Sequence, residues 1–469
     1  MGNARTALFS FLLARHSGGQ FLLRIEDTDR QRHNEQAVTE IMEDLRWLGI
    51  EWDEGLSVGG PHGPYRQSER LEIYHGFIDR LLSEGNAYYA FETSEELAAM
   101  RGGEGGKGEF RYPRPKMLPT QADAAKAQAQ GRPAVVRFLC PGRDLTVIDD
   151  CFGTVTMPAG EMEDFIIRKA DGYPTFYLAN TVDDALMEVN YVLRGQEFLG
   201  QTWRQEFLRD ALGFAHPRHA HLPLILDMQG RKLSKRDGDV EVRGFRAAGY
   251  LPEVLTNFIS LLGWSPGGDR EKMTLAEMIE LFSVDRIGKT NAKFDRDKLL
   301  AFNTDALAAV GQTRLLAALK DYLSLNPTPI PAGDDDLLRY LLRVHAGMRT
   351  LADIPAKCGV LFVPDDAFPY DDQAVGKVLR KNGDEGMKVL AQLRRLLGEC
   401  LWTDAAIEQT IKDFCQTHGL GMGRVAQPLR VAVTGRTISP PIHDTLVILG
   451  RDKTLCRIDR CLALALRGA

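Results

Sequence analysis

No Cys-x-x-Cys pair occurs among the seven cysteines of this 469-residue chain. That removes the commonest local signature of a zinc knuckle or a dithiol redox centre. An odd, scattered set (Cys140, Cys151, Cys358, Cys400, Cys415, Cys456 and Cys461) reads as reduced core thiols of a cytoplasmic protein, not as a disulfide frame. No run of about 18 uninterrupted apolar residues is present, which excludes an apolar membrane-spanning helix. Met1-Gly2-Asn3 opens without the basic stretch and apolar core of a signal peptide. No internal repeat or long low-complexity tract is visible, which sets solenoids aside. A basic excess is also missing: the net charge of −6 argues against indiscriminate nucleic-acid binding.

What is present is ordinary globular material, 44% hydrophobic and 26% charged, and the length calls for three or more domains. The charge is uneven. From Gly386 to Ala469 there are 12 Lys/Arg against 7 Asp/Glu, a mildly basic region on an acidic body. Such a region suits an RNA-facing surface, and equally an ordinary charged helical one.

The start reads as helix, strand, helix. Leu8, Phe11 and Leu12 recur at helical spacing and Gly18-Gly19 closes the segment. Phe21 to Ile25 is a run of strand length. Asp29 then precedes an amphipathic helix with Val38, Ile41, Met42, Leu45 and Leu48 on one face. This rhythm belongs to a parallel sheet with crossover helices, which binds ligands at the carboxyl ends of its strands, where Glu26 and Asp27 stand. After a turn-rich connector, Gly59 to Pro64, a helix carries Leu71, Tyr74, Phe77, Ile78, Leu81 and Leu82 as far as Gly85. From Tyr88 to Met187 the pattern changes to an inserted α/β subdomain. It has a glycine-rich stretch from Gly102 to Gly108 and short β-like runs at Ala134–Phe138, Leu145–Ile148 and Asp164–Arg168. Sheet-like sequence resumes at Val189–Leu193, and beyond Gly244 the pattern is almost wholly helical.

Past the apolar run Leu222 to Leu226 stands Lys232-Leu233-Ser234-Lys235-Arg236. Two ammonium groups three residues apart on a loop at a strand end suit a polyphosphate, and can neutralise charge growing on departing pyrophosphate. Alone, the string reads equally as a solvated basic loop.

Read together, the motifs resemble the class I glutamyl-tRNA synthetases of bacterial type over nearly the whole chain. Gly2-Asn3-Ala4-Arg5-Thr6-Ala7-Leu8-Phe9 is similar to the sequence that follows the first half of their HIGH signature. Arg24-Ile25-Glu26-Asp27-Thr28-Asp29, Gly63-Pro64-Tyr65-Arg66-Gln67-Ser68-Glu69-Arg70, Asp171-Gly172-Tyr173-Pro174-Thr175, Val182-Asp183-Asp184 and Arg194-Gly195 follow in the family's order. KLSKR matches its KMSKS signature, and Val425 to Arg430 with Thr434-Gly435 resembles its anticodon-binding region.

The resemblance implies a class I Rossmann-type α/β catalytic domain in two halves, 1–87 and 188–243, around an acceptor-binding insert at 88–187. A helical stem-contact region, 244–312, and an α-helical anticodon-binding region, 313–469, would follow. It implies a cytoplasmic monomer that charges tRNA(Glu), and also tRNA(Gln), with L-glutamate, using ATP with Mg²⁺. Lys232 and Lys235 would act on the phosphates, with Gly2, Asn3, Leu224, Ile225, Ser234, Arg236 and Phe198 around the nucleotide. Glu26, Phe176, Asn180 and Arg194 would hold glutamate, Phe176 standing where many members have Tyr. By residue type alone, Glu26 is also a surface acid, Arg194 an intrasheet ion pair and Phe198 a packing residue.

Gly347 aligns with an Arg thought to exclude tRNA(Gln), with Arg349 close by and Arg430 also in the anticodon region. No structural zinc is expected, because Ala90 and Glu92 replace the first Cys-x-Cys pair of zinc-binding relatives. Family members carry a strand and a Pro-Ser-Pro-Thr-Gly loop before the HIGH motif, whose second position falls here at Met1. The expectation is an incomplete start, with a folded helical half and little activity. The alternatives are a catalytically silent tRNA-binding paralogue and a glutaminyl-tRNA synthetase, whose β-barrel anticodon domains the helical C-terminal pattern disfavours.

Overall fold

Leu8, Phe11 and Leu12 are buried on one side of helix α1 (Gly2–His16) in the computed structural model, which describes residues 1–29, 34–102, 112–233 and 240–466. Phe9 of the same helix meets Phe282 edge-on at 5.5 Å. The Phe21–Ile25 run contains strand β1 (Leu22–Leu23), parallel to β2 (Glu54–Gly55). At Gly55, φ is +137° and an added Cβ would fall 2.3 Å from the Leu23 carbonyl oxygen, so this close approach requires glycine. Ile25 extends the parallel pairing to Arg66.

Helix α2 (Glu35–Trp47) begins later than Asp29 suggests. Asn34 caps it, its side chain accepting from the Gln36 amide at 3.0 Å, which satisfies one of the orphan donors of the first turn. Ile41, expected on the buried face, is 53% exposed. Periodicity sets the direction a residue faces, not whether another element covers that level of the helix. Helix α3 (Leu71–Ser83) buries Tyr74, Ile78 and Leu81 as its pattern requires.

The insert supplies β3 (Ala87–Ala90), α4 (Ser94–Gly102), α5 (Gln121–Ala129), β4 (Val135–Phe138), β5 (Leu145–Asp149), β6 (Gly153–Met157), β7 (Phe165–Arg168) and α6 (Phe176–Leu186). The chain continues with β8 (Tyr191–Gly195), α7 (Thr202–Leu212), β9 (Arg218–Leu222), β10 (Ile225–Leu226) and, much later, β11 (Ala292–Lys293). Strands β3, β4 and β7 form an antiparallel sheet over a core of Tyr74, Ile78, Val136, Phe138, Ile167 and Phe207.

Two sequence expectations are corrected. The hairpin β5–β6 does not stay with the insert's own sheet: its strands continue the order β6-β5-β9-β8, where β8, β9 and β5 run parallel. The apolar run Leu222–Leu226 is two strands rather than one, divided at Pro223, which has no N–H to give a ladder. The region after Gly244 is almost wholly helical, as its pattern suggests, with the two-residue β11 returning to pair with β10. The expected set of core thiols also holds only in part: Cys140, Cys151, Cys358 and Cys461 are buried, whereas Cys456 is exposed and Cys400 and Cys415 are half-buried. The glycine-rich stretch expected at Gly102–Gly108 lies outside the described residues from 103 onward.

The chain divides into two compact units, Met1–Val242 with Leu255–Asp295, and Arg243–Val254 with Arg296–Ala469. Among the described residues from 296 onward every regular element is helical. The core of the second unit contains the fully buried Arg457, whose guanidinium donates to the carbonyls of Val360, Val363 and Val433 and to Asp365 at 2.6 Å. No helix among the described residues is long and apolar enough to cross a membrane.

Candidate active site

Glu26 and Asp27 follow β1, and Arg194 is the penultimate residue of β8. These are the carboxyl ends of parallel strands, where an α/β sheet leaves room for a ligand. Two polar clusters meet there.

The first is built on α6. Asn180, Asp183 and Asp184 are spaced i, i+3, i+4 and share one helix face, which is buried. The Asp183 carboxylate accepts from Gln67 Nε2 at 2.9 Å, Arg70 Nε at 2.8 Å and the Tyr74 hydroxyl at 2.8 and 3.0 Å. Asp184 pairs with Arg24 Nη1 at 3.0 Å and with Arg209 Nη2 at 3.2 Å. Burial opposes the charge of Arg24, but Asp184, Glu26 and Asp183 outweigh it and hold its pKa above the usual arginine value. Arg24 in turn reaches Glu26 Oε1 at 3.2 Å, and the Glu26 side chain remains 40% exposed. Asn180 accepts from Gln67 Nε2 at 2.9 Å through Oδ1, and its NH₂ makes no hydrogen bond among the described residues. Asp27 points the other way, accepting from the Ser68 amide and hydroxyl at 2.8 and 2.7 Å.

The second cluster surrounds Arg194. Its Nε donates to His221 Nε2 at 3.0 Å, Nη1 to Gln205 Oε1 at 2.5 Å and Nη2 to Thr202 Oγ1 at 2.9 Å. No carboxylate among the described residues lies within ion-pair distance of it, so the intrasheet ion pair allowed by its residue type does not form. Burial pulls the Arg194 pKa down to about 10, only partly opposed by the more distant Asp184. The guanidinium lies 5.6 Å from the Phe198 ring centre, and Phe198 stacks on Phe176 at 5.9 Å. Phe198 thus stands beside Arg194 and Phe176.

Gly2 and Asn3 are exposed at the first turn of α1, whose orphan N–H groups favour anions. Arg5 ties that turn to the sheet, donating to the carbonyls of Pro223 at 2.5 Å and Leu262 at 3.0 Å. Leu224 and Ile225 follow Pro223 directly. The segment then folds back: Asp227 accepts from the amides of Gln229 and Arg231 at 2.9 and 2.8 Å, and Leu226 bridges antiparallel to Lys232. Lys232 is therefore exposed beside β10. Ser234, Lys235 and Arg236 lie outside the described residues.

In the second unit, Gly347 and Arg349 are exposed in the loop after helix Asp335–Val344. Gly347 has φ of +91°, a backbone that disfavours any side chain there. Asp353 Oδ2 accepts from the Arg349 amide at 2.7 Å, and the Arg349 side chain remains exposed. Arg430 is half-buried on helix Met422–Thr434 and donates to Ser439 Oγ at 2.9 Å. No hydrogen bond or ion pair among the described residues joins it to the other two.

Asp183, Asp184 and their partners Gln67, Arg70 and Arg209 were not among the site residues expected from the sequence. The available signal was two adjacent acids in a segment too apolar to hold them unpaired. Asp227, which shapes the turn leading to Lys232, and the pair Asp149–His221 behind Arg194 left no local signal.

A family model described as "tRNA synthetases class I (E and Q), catalytic domain" matches residues 1–301, and one described as "Anticodon binding domain" matches 314–462. The chain is similar to the glutamate–tRNA ligase of Desulforudis audaxviator, 39% identical over 99% of this chain and 93% of that protein. It is similar also to that of Mycobacterium bovis, 39% identical over 98% and 94%. Among solved structures it resembles a glutamate tRNA ligase from Elizabethkingia meningosepticum in complex with its amino acid. There the TM-score is 0.77 at 31% identity, covering 98% of this chain and 96% of that one.

Proposed function

Because the chain belongs to the class I tRNA synthetases specific for glutamate and glutamine, we infer that it is a glutamate–tRNA ligase. A carboxylate oxygen of L-glutamate attacks the α-phosphorus of ATP and the α–β phosphoanhydride bond breaks. Glutamyl-AMP and pyrophosphate result. A ribose hydroxyl at the tRNA 3′ end then takes the glutamyl group and AMP departs. Both steps depend on positioning and charge neutralisation and need no protein nucleophile. Mg²⁺ travels with ATP, whose phosphate oxygens supply several of its ligands.

The observation that carries the glutamate reading is Arg194, a half-buried arginine whose guanidinium has three partners that are all uncharged. A carboxylate is the group such a site lacks, and glutamine would leave the charge desolvated and unmatched. We place Glu26 at the α-ammonium of glutamate and Asn180 within hydrogen-bonding reach of the substrate. Phe198, stacked on Phe176, walls the Arg194 end and is assigned here to glutamate rather than to the nucleotide. Gly2, Asn3, Leu224 and Ile225 border ATP. Lys232, Ser234, Lys235 and Arg236 cover its phosphates. The insert at 88–187 faces the acceptor end, 244–312 the stem and 313–469 the anticodon, in a monomer working in the cytoplasm.

Lys235→Ala tests the assignment. Glutamate-dependent ATP–pyrophosphate exchange is expected to slow by on the order of a hundredfold, because the ammonium meets charge that grows toward the transition state. Affinity for tRNA should change less than about threefold. Equal losses in both would remove the lysine from that role.

Charging is expected to extend to tRNA(Gln). Gly347 can neither read a base edge nor clash with the wrong one. Aminoacylation of the two purified tRNAs should then differ by less than about tenfold in kcat/KM. A preference for tRNA(Glu) on the order of a hundredfold would overturn this and pass discrimination to the exposed Arg349.

A further inference from the structure

Three neighbouring strands place Asp149, His221 and Arg194 side by side. Arg194 on β8 is the direct cross-strand partner of His221 on β9, and Asp149 ends β5 on the far side of β9, in register with His219. His221 and Asp149 have side chains with no solvent exposure, and His221 Nδ1 lies 2.6 Å from Asp149 Oδ2.

The proton inventory admits one arrangement. Asp149 Oδ1 already accepts from the amides of Cys151 at 3.0 Å, Phe152 at 2.8 Å and His221 at 3.3 Å, which leaves Oδ2 for the ring. A carboxylate can only accept, so the imidazole proton sits on Nδ1. An arginine Nε–H can only donate, so Nε2 must be bare to receive it. Burial holds the His221 pKa below the ordinary histidine value, in keeping with a neutral ring, even though Asp149 works the other way.

The consequence falls on Arg194. A guanidinium has five N–H groups. His221, Gln205 and Thr202 take one from each nitrogen, which leaves one on each Nη. Those two are the number a carboxylate accepts in a fork. The ring therefore does more than fill space. It sets the rotation of the guanidinium about Nε and, being uncharged, leaves the positive charge for the substrate.

We propose that His221, locked in its Nδ1–H form by Asp149, is a positioning residue that aims Arg194 at the side-chain carboxylate of the amino-acid substrate. The proposal rests on the reading of Arg194 as the partner of that carboxylate.

Two amide substitutions separate the halves of the relay. Asn puts its amide near the position of Nδ1 and keeps the contact to Asp149 without an acceptor for Arg194. Gln puts its amide near Nε2 and keeps that acceptor. His221→Asn is expected to raise the KM for glutamate by about tenfold or more, as a small misplacement of a binding group does. KM for ATP and tRNA should hold within about twofold, and the preference for glutamate over glutamine should fall by the same factor as the glutamate KM rises. His221→Gln should stay within about threefold of the parent in KM for glutamate. In an Arg194→Ala background, His221→Asn should add no further rise, because it acts through the missing group.

If both His221 variants lose active protein or kcat alike with KM for glutamate unchanged, the histidine is only structural and the proposal falls. Additive losses in the double variant would also overturn it. An unchanged KM for glutamate in Arg194→Ala itself would instead overturn the reading of Arg194, and the proposal with it. A raised KM in Arg194→Ala with no difference between the Asn and Gln variants would overturn the positioning role alone.

Discussion

Arg194→Ala is expected to raise the KM for glutamate by on the order of a hundredfold to a thousandfold, with KM for ATP within about threefold. The charge-assisted bonds it would offer a carboxylate are worth about 1.5–3 kcal/mol each, and about 1.4 kcal/mol is a factor of ten. Arg194→Lys should recover little of the loss. A lysine brings a point charge, and cannot hold Gln205, Thr202 and His221 while presenting two parallel N–H groups. The glutamate-to-glutamine preference should collapse in both variants.

Stability should not follow activity down. Burial lowers the pKa of Arg194 to about 10, so its charged form costs the fold something at every pH below that value, and the cost is relieved only as the pH rises through it. Removing the side chain relieves this cost while taking a donor from three neutral acceptors, of which His221 Nε2 still has the Thr202 hydroxyl 3.4 Å away, and the two effects oppose each other. Steady-state kinetics with a parallel thermal melt would check both halves. A glutamate KM within about threefold of the parent would remove Arg194 from the substrate site.

Elements whose signal is local were legible in the sequence. Helix α3 follows from the spacing of Tyr74, Ile78 and Leu81, and β1 lies within the short apolar run before Glu26. The lysine pentapeptide announces itself by charge and spacing, and the order of motifs carries the family. What was not legible depends on pairings distant in sequence. Nothing in Leu145–Asp149 says that this strand leaves the insert to lie against β9, because a half-buried alternating strand reads the same in either sheet. The Asp149–His221–Arg194 row needs that pairing together with the one between β8 and β9, and so it stayed invisible. Ile41 shows the converse failure, a correct helical period at a position that stays 53% exposed among the described residues.

Asp183 offers the largest expected effect on the fold. Its carboxylate is fully buried and gathers Arg70 Nε, Gln67 Nε2 and the Tyr74 hydroxyl, with Arg24 Nε at 3.7 Å. Arg70 is itself 2% exposed and, among the described residues, its guanidinium is otherwise held only by the carbonyls of His62 and Pro64. Removing the carboxylate leaves a buried arginine with no anion, a defect that costs about 3–5 kcal/mol where it has been measured. A domain's whole stability is about 5–15 kcal/mol, so Asp183→Ala should leave the first unit marginal. Asp183→Asn keeps the shape but turns an NH₂ toward Arg70, Gln67 Nε2 and Arg24, which can only donate, leaving the Tyr74 hydroxyl to accept, and should be nearly as damaging. The effect should be local to that unit. Urea unfolding followed by far-UV circular dichroism should show an early transition displaced to lower urea, while the helical signal of the second unit melts where it does in the parent. A loss under about 1 kcal/mol would mean that water reaches this cluster and that Asp183 is dispensable to it.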